Sequence, residues 1–266
     1  MELDLEVCRT IAIRHGLPLQ FVFKEFHLMN ILGRIASKFS SNNNYLVFKG
    51  GTALNKVYIN KTQRFSEDLD FDLVVPDASK RLLNFSKELA KEFIDYKIEE
   101  FRKVKNTIQF YCVYETPLSG KDNIRIDIAP KTLITSKTPE NKNIYSEFTH
   151  SSVSGVKTYS IEDLTARKIN ALSSREEGKD VFDVNAALSL CSKTVIKDAL
   201  KKILKSENKD IEVSVFLNLT IENLKQINVE KLKNLTNPFI PVPYRPKNWN
   251  ELKENLIMKL KELQSI

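Results

Sequence analysis

The chain of 266 residues and 30.6 kDa is long enough for one large domain or two modest ones with cores of their own. Hydrophobic residues make up 42% and charged residues 28%, which is ordinary for a soluble globular protein, and no apolar run approaches the roughly 20 residues that span a bilayer. The formal charge of +7 permits a polyanionic partner without selecting one, because the lysines and arginines are dispersed.

The first residues and the cysteines indicate the compartment. The opening MELDLEVCRT lacks both the basic region and the apolar region of a signal peptide. The three cysteines, Cys8, Cys112 and Cys191, are too far apart for metal-ligand spacing, and the three histidines are scattered as well. We therefore expect a cytoplasmic protein with reduced thiols, no membrane segment and no histidine-based metal site.

The first half alternates helical and strand patterns. Apolar residues recur at helical spacing in four segments, and five shorter runs carry the alternation or the β-branched and aromatic residues of strands. In chain order these are helix 3–14, helix 18–39, strand 45–48, helix 52–59, strand 68–73, helix 79–96, and strands over KIEEFRKV, TIQFYCVYE and NIRIDIA.

The second half is helical almost throughout from Ser160 onward, with turn signals near Gly178, Asn208 and the proline-rich NPFIPVPYRP. The sequence thus predicts an α/β (α+β) fold, with a small mixed sheet in the first half and helices in the second. The expected domains are residues 1–155, which include the N-terminal helices, and residues 156–266.

The run DLDFDL places three aspartates at alternate positions of a strand. Because side chains alternate between faces, Asp68, Asp70 and Asp72 share one face and the apolar residues between them take the other. A slip of one residue would drive the aspartates into the core, so the apolar set fixes the register. The run NIRIDIA puts three isoleucines on one side and Arg125 and Asp127 on the other. If the two strands pair, Asp127 joins the aspartates.

Such a row of carboxylates has two explanations. Same-face neighbours lie roughly 7 Å apart, within the Debye length of about 8 Å, so their charges repel one another unless a cation is bound. Mg²⁺ prefers oxygen ligands and leaves positions open for phosphate oxygens. The alternative is a solvated edge strand whose charge discourages aggregation. The second carboxylate strand favours the metal site, and the sequence leaves open whether Asp72 or Asp127 is the third carboxylate.

Gly50 and Gly51 stand between an apolar strand and a helix. Glycines there let the backbone turn tightly and approach a ligand, and the first N–H groups of the helix can bind phosphate, with Thr52 adding a hydroxyl. Taken alone, the pair favours a simple strand-to-helix turn. Neither the P-loop nor the dinucleotide-binding glycine motif is present.

The order of these motifs resembles a known family. A strand, Gly-Gly-Thr, a helix, an Asp-x-Asp strand and a later carboxylate resemble the polymerase-β-type nucleotidyltransferase superfamily. The segments KGGTAL, RFSEDLDFDL, SIEDLTARKINAL and GKDVFDV resemble the AbiEii-type nucleotidyltransferase toxins, over about residues 46–190. The resemblance implies a polymerase-β-like nucleotidyltransferase domain followed by an α-helical domain that completes the cleft.

Lys168 is the candidate cation of the helical half. Ser160 is expected to cap a helix with Asp163 reaching back to it, and Lys168 then falls in the apolar stripe of that helix. A lysine in that position either snorkels to solvent or meets an anion. The resemblance matches Lys168 to a phosphate-binding lysine and Asp180 to a functional acidic position, with Asp183 as the nearby competitor.

The resemblance also assigns a reaction and its residues. It implies an enzyme that transfers NMP from an NTP, with Asp68, Asp70 and Asp127 as ligands of Mg²⁺ or Mn²⁺ and with Asp127 also orienting the acceptor hydroxyl. The expected nucleotide-binding residues are Gly50, Gly51, Thr52, Arg64, Ser66 and Lys168, with Arg64 also ordering the start of the aspartate strand.

The partners that the resemblance implies are an RNA acceptor, with the 3′ end of tRNA as the expected one, and a cognate antitoxin of a toxin–antitoxin or phage-defence system. Two alternatives stay open at this level. One is a nucleotide- or nucleic-acid-binding module of the same fold without turnover, against which the intact Asp68 and Asp70 argue. The other is a nucleotidyltransferase that modifies a small molecule.

Overall fold

A computed structural model of the chain describes residues 3–39, 45–59, 64–131 and 135–265. The chain forms two compact units. The first comprises Met1–Leu133 with Pro139–Thr158, and the second comprises Ile134–Thr138 with Tyr159–Ile266.

A mixed sheet of seven strands, in the order β3-β4-β5-β2-β1-β7-β6, forms the centre of the first unit. The pairs β2–β5 and β1–β7 are parallel and the other neighbours are antiparallel. Through these two parallel pairs, strands that are far apart in the chain become neighbours in the middle of the sheet. The strands are β1 Leu46–Lys49, β2 Asp68–Leu73, β3 Lys97–Val104, β4 Thr107–Glu115, β5 Lys121–Pro130, β6 Glu140–Ser146 and β7 Ser151–Thr158.

Four helices accompany this sheet: α1 Leu5–His15, α2 Leu19–Phe39, α3 Gly50–Leu54 and α4 Ala78–Ala90. The bounds of α1 follow from its ends, because the carboxylate of Asp4 accepts the amides of two first-turn residues and Gly16 closes the helix at φ 61°. The short α3 continues without a break into a π-helical turn, Asn55–Ile59.

The five predicted strands and four predicted helices of this unit are all present, but the helix predicted over 79–96 ends at Ala90, and the sequence did not predict β6 and β7. Their composition explains the omission. The segment ENKNIYS of β6 buries only Ile144 and Ser146, and SSVSGVKT of β7 buries only Val156 and Thr158. Strand formation in such polar segments is decided by pairing with neighbours and not by local preference.

The second unit is helical, as predicted: α5 Ile161–Leu172, α6 Gly178–Leu188, α7 Lys193–Ser206, α8 Val213–Gln226, α9 Val229–Thr236 and α10 Trp249–Gln264. One apolar core joins faces of all six helices. The predicted turns occur at Asn208, where φ is 54°, and in two 3₁₀ turns of the proline-rich segment, Asn237–Phe239 and Val242–Tyr244. Within the described ranges of both units, no helix combines the length and apolarity needed to cross a membrane.

Candidate active site

Strand β2 shows the predicted alternation at its apolar positions. Leu69, Phe71 and Leu73 are buried, with exposed fractions of at most 1%. This set fixes the register, because a shift of one residue would exchange the apolar and acidic faces. Asp68 and Asp70, by contrast, are only partly buried. The strand therefore presents two aspartates away from the apolar layer.

Asp70 lies opposite Asp127 in the parallel pairing of β2 with β5. On its other side it lies opposite Lys49 of β1. Neighbouring strands are spaced by about 4.7–4.9 Å, so the two aspartates are side by side on one face of the sheet. The prediction that Asp127 sits beside the aspartate strand is confirmed by this register.

Asp72 departs from the expected solvated row. It is fully buried, and its carboxylate Oδ1 accepts a hydrogen bond from Nζ of Lys49 at 2.5 Å. The alternation that puts Asp72 on the same strand face as Asp68 and Asp70 is present, but the expectation that this face lies outside the buried interior is wrong at Asp72. The reason is the adjacent strand β1, whose terminal lysine supplies the charge that lets this carboxylate leave water.

The backbone of Gly50 is packed against the carboxylate of Asp70. Gly50 has a φ of 79°, and a Cβ built on it would lie 2.3 Å from Oδ2 of Asp70. Both the left-handed conformation and the lack of room require glycine here. Gly51 follows in α3, and the buried Thr52 donates its hydroxyl hydrogen to the carbonyl of Asp68 at 2.6 Å. The Gly-Gly-Thr turn is thus joined to the aspartate strand at two points.

Arg64 and Ser66 lie just before β2 and are both buried. The Arg64 guanidinium donates to the carbonyl of Phe65 at 2.9 Å and to the Ser66 hydroxyl at 3.4 Å. The amide of Arg64 donates to the side chain of Asn55 at 3.0 Å, and Asn55 in turn donates to the carbonyl of Gly51 at 2.9 Å. These bonds link the start of the aspartate strand to the glycine turn, which agrees with the ordering role expected of Arg64.

The negative charges of Asp68, Asp70 and Asp127 lie close enough together to influence the pKa of Asp70. Burial raises the pKa of Asp70 to about 6; Lys49 opposes this shift, and the neighbouring charges of Asp127 and Asp68 add to it. Arg125, which the sequence placed on the same side as Asp127, donates from Nη2 to Oδ2 of Asp68 at 2.6 Å, and its Nε lies 3.5 Å from Oδ2 of Asp127. Its guanidinium therefore bridges two of the three carboxylates.

Two residues of this network escaped sequence reasoning. Gln109 of β4 lies opposite Asp127 and donates to its Oδ1 at 3.0 Å, and Arg102 of β3 holds the other end of the amide. The only signal in the sequence is a polar residue between Ile108 and Phe110 in an apolar strand. That signal does not name a partner, because the strand order that brings β3, β4 and β5 together is a tertiary property.

In the second unit, the predicted cap of α5 is present. The hydroxyl of Ser160 accepts the amide of Asp163 at 3.1 Å. The carboxylate of Asp163 accepts the Ser160 hydroxyl at 2.7 Å and also the amides of Ser136 at 2.8 Å and Lys137 at 3.4 Å. Asp163 thus does more than the capping role expected of it, because it fastens the segment around residue 136 to the start of the helix.

Lys168 is buried in the same helix and meets anions from α6. Its Nζ lies 2.5 Å from Oδ1 of Asp180 and 3.1 Å from Oδ2 of Asp183, and both aspartates are fully buried. Arg175 adds a second cation, with Nε 2.7 Å from Oδ2 of Asp180. Lys168 therefore does not snorkel to open solvent, and Asp183 is a buried partner and not a helix-surface residue.

The three carboxylates fit a divalent cation that uses few protein ligands. In the described part of the chain, no three acidic, histidine or cysteine side chains converge as a ready-made metal cage. Mg²⁺ commonly takes one or two carboxylates, and water and phosphate oxygens complete its octahedron. Asp70 beside Asp127, with Asp68 two positions away on the same strand, offers that donor set. Arg125 shows that the set already attracts positive charge.

Comparison with known proteins adds a family and a fold. The profile of the family described as nucleotidyl transferase AbiEii toxin, type IV toxin–antitoxin system, matches residues 31–264. MenT4, a nucleotidyltransferase toxin from Mycobacterium tuberculosis H37Rv, is similar in structure, with a TM-score of 0.65 and 14% identity over 100% of this chain and 91% of that one. This likeness confirms the predicted fold class.

A second solved structure is more distant. An antigenic nucleotidyltransferase-like protein from Paracoccidioides brasiliensis gives a TM-score of 0.44 and 17% identity over 72% of this chain and 92% of that one. No curated protein sequence matches this chain.

Proposed function

The chain belongs to the AbiEii family of nucleotidyltransferase toxins of type IV toxin–antitoxin systems, and from this premise we propose that it transfers NMP from an NTP to a hydroxyl of RNA. The acceptor we propose is the 3′ end of tRNA, and the metal is Mg²⁺ or Mn²⁺. The reaction takes place in the cytoplasm, and a cognate antitoxin restrains the toxicity.

The observation that carries the proposal is the pairing of Asp70 with Asp127 beside the glycine turn. Gly50 leaves no room between the turn and the Asp70 carboxylate, so a phosphate held by the first N–H groups of α3 would lie close to the acidic pair. An anion bound by these amides would be repelled by the neighbouring carboxylates unless a cation lay between them. A nucleotide bound with a divalent cation meets both requirements.

Each group of site residues has its own role in this reaction. Asp68 and Asp70 would hold the cation, and Asp127 would be its third carboxylate ligand and orient the attacking hydroxyl. When bound, the cation supplies Lewis-acid stabilisation of the charge that develops on the phosphate oxygens. Gly50, Gly51 and Thr52 position the phosphates against it. Catalysis by these groups is mainly positioning and electrostatics.

Other residues support this arrangement. Arg64 and Ser66 keep the aspartate strand in place beside the turn and are also assigned to nucleotide binding. In the second unit, we assign Lys168 to the nucleotide phosphates and Asp180 to the functional acidic position. Because Asp180 is held by both Lys168 and Arg175, its carboxylate also sets the position of the lysine ammonium.

The acceptor is proposed from the resemblance to the family. The formal charge of +7 is compatible with a polyanionic acceptor such as RNA but does not select it, because the lysines and arginines are dispersed. An RNA 3′ end offers the hydroxyl that the reaction requires.

The test is to incubate the protein with each α-labelled NTP, Mg²⁺ or Mn²⁺ and total cellular RNA, and then to separate the products by size. We expect label in the tRNA band that ribonuclease removes. Asp68→Asn and Asp70→Asn should abolish labelling, whereas the exposed Asp77→Asn, the same chemical change away from the site, should not. Full labelling by either site variant would contradict the assignment, and label only in ribonuclease-resistant small molecules would replace RNA as the acceptor.

A further inference from the structure

Gln109 makes a chain of hydrogen bonds that ends on Asp127. It lies in β4, directly opposite Asp127 in β5, and it is 9% exposed. Its Nε2 donates to Oδ1 of Asp127 at 3.0 Å. Its Oε1 accepts from Nε and Nη2 of Arg102 at 3.1 and 2.8 Å, and from the hydroxyl of Tyr111 at 3.4 Å.

Arg102 fixes the direction of the Gln109 amide. A guanidinium has hydrogen-bond donors only, so the amide must turn its oxygen toward Arg102 and its NH₂ toward Asp127. The opposite orientation would set NH₂ against the guanidinium and an amide oxygen against a carboxylate oxygen. The amide can therefore only donate to Asp127, and it occupies Oδ1 of that carboxylate.

The remaining oxygen of Asp127 is thereby oriented. With Oδ1 held by Gln109, Oδ2 is the atom that faces the guanidinium of Arg125, at 3.5 Å from Nε. Arg125 also donates a hydrogen bond to Asp68, so Oδ2 of Asp127 points to the side of the site on which Asp68 lies. The Gln109 amide, whose orientation is fixed by Arg102, therefore sets the rotation of the Asp127 carboxylate.

We infer that Gln109 and Arg102 are positioning residues that hold Oδ2 of Asp127 toward the cation and the acceptor hydroxyl. This inference rests on the role of Asp127 in the proposed function. Residues that orient a ligand carboxylate through its second oxygen typically change metal affinity or activity by about 10–100-fold when they are lost. Arg102 is the distinctive member, because its side chain is 54% exposed and reaches Asp127 only through the amide; its Nη1 also lies 3.3 Å from Oε2 of the exposed Glu100.

The exposure of Arg102 makes a sharp test possible. Arg102→Glu replaces two donors by an acceptor, which favours the reversed amide and turns its oxygen toward Asp127. Gln109→Leu removes the amide altogether. The matched control is Lys103→Glu, the same charge reversal at the next exposed position of β3. The measurements are the Mn²⁺ dissociation constant of the nucleotide-free protein, kcat for transfer, and Tm.

We expect Gln109→Leu and Arg102→Glu each to raise the Mn²⁺ dissociation constant and lower kcat by about tenfold. In the double variant the two changes should not add, because Arg102 reaches Asp127 only through Gln109. Lys103→Glu should resemble the parent chain. Since Arg102 and its ion-pair partner Glu100 are both exposed, Arg102→Glu should change Tm little and test the inference even if Gln109→Leu folds poorly.

Unchanged Mn²⁺ affinity and kcat in Arg102→Glu, or fully additive losses in the double variant, would overturn the positioning role. Asp127→Asn separates this failure from that of the proposed function. If Asp127→Asn loses Mn²⁺ affinity and transfer while Arg102→Glu does not, only the positioning role is wrong. If Asp127→Asn keeps both, the assignment of Asp127 itself fails and the inference with it.

Discussion

The Cα of Gly50 is packed against Asp70 so closely that a Cβ at position 50 would lie 2.3 Å from Oδ2 of the carboxylate. Gly50→Ala must therefore displace Asp70 as well as strain a backbone with a φ of 79°. We expect loss of transfer together with a decrease of about 1–3 kcal/mol in the free energy of unfolding. Urea unfolding and the labelling assay measure the two effects.

Gly155 provides the matched control for this substitution. Its φ of 77° imposes the same strain on alanine, but a Cβ there meets nothing within 4 Å. Gly155→Ala should lose a similar part of its stability through backbone strain and keep its transfer activity. Equal loss of transfer in both variants would mean that the contact with Asp70 is not what makes glycine necessary at position 50.

Asp70 and Asp72 should respond in opposite ways to replacement by asparagine. The charge of Asp70 is disfavoured by burial and by Asp127, so Asp70→Asn should leave the metal-free protein as stable as before or more so. Asp72→Asn removes the partner of Lys49 in a largely buried pair and should cost about 2 kcal/mol. Transfer should be lost in the first variant and retained in the second. Transfer lost with unchanged stability in Asp72→Asn would show that Asp72 belongs to the catalytic set.

Lys168 should matter for stability as well as for nucleotide binding. Lys168→Met takes a cation away from Asp180 and Asp183, both fully buried, and should lower the free energy of unfolding by about 3–5 kcal/mol. Lys202→Met is the control, because Lys202 forms an exposed pair with Asp198 whose loss should cost less than about 1 kcal/mol. Equal destabilisation of the two variants would contradict the structural role of Lys168.

The phosphate-binding role of Lys168 needs a variant that keeps the charge. Lys168→Arg retains a cation for the aspartates, but a planar fork does not replace a compact ammonium at a confined site. We expect near-normal stability with a partial loss of nucleotide binding or turnover, smaller than the roughly 1.5–3 kcal/mol that complete loss of a charged hydrogen bond would cost. Transfer rates measured against NTP concentration show whether this loss occurs. Unchanged kinetics in this variant would leave Lys168 as a structural residue.

His27 should make the stability of the first unit depend on pH. Its ring stacks on Tyr114 with centroids 3.6 Å apart, and Nδ1 lies 3.1 Å from the hydroxyl of Tyr96. Burial lowers the pKa of His27 to about 4, against the opposing charge of Asp122. Because the unfolded chain binds the proton more tightly, this contribution is complete above pH 6.5 and is lost as the pH falls toward 4.

The comparison variant for this effect is His27→Gln. Between pH 7 and pH 5, the native chain should lose about 2 kcal/mol more unfolding free energy than the variant, since one pKa unit corresponds to about 1.36 kcal/mol. Taking the difference between the two proteins cancels the contributions of other titrating groups. Parallel pH profiles would show that His27 is protonated equally in the folded and unfolded chains.

The local structure and the acidic character of the site could be predicted from the residues alone. Period-two alternation in DLDFDL and NIRIDIA predicted both central strands and their apolar faces, because burial of the isoleucines, leucines and phenylalanine leaves one register. The glycine pair predicted a strand-to-helix turn, and Ser160 predicted the start of α5. Each of these features depends on residues within one turn or one strand of each other.

Which charges are partners depends on the three-dimensional fold. Lys49 and Asp72 are 23 positions apart, Gln109 and Asp127 are 18 apart, and Lys168 and Asp180 are 12 apart. A sequence pattern shows that a charge lies on a face, but the free energy of burying it depends on the group opposite, which the strand order and the helix packing supply. For this reason Asp72 is buried with a lysine, although the sequence pattern makes it one of three equivalent aspartates. Gln109 likewise orients the carboxylate of Asp127, although the sequence shows it only as part of a strand.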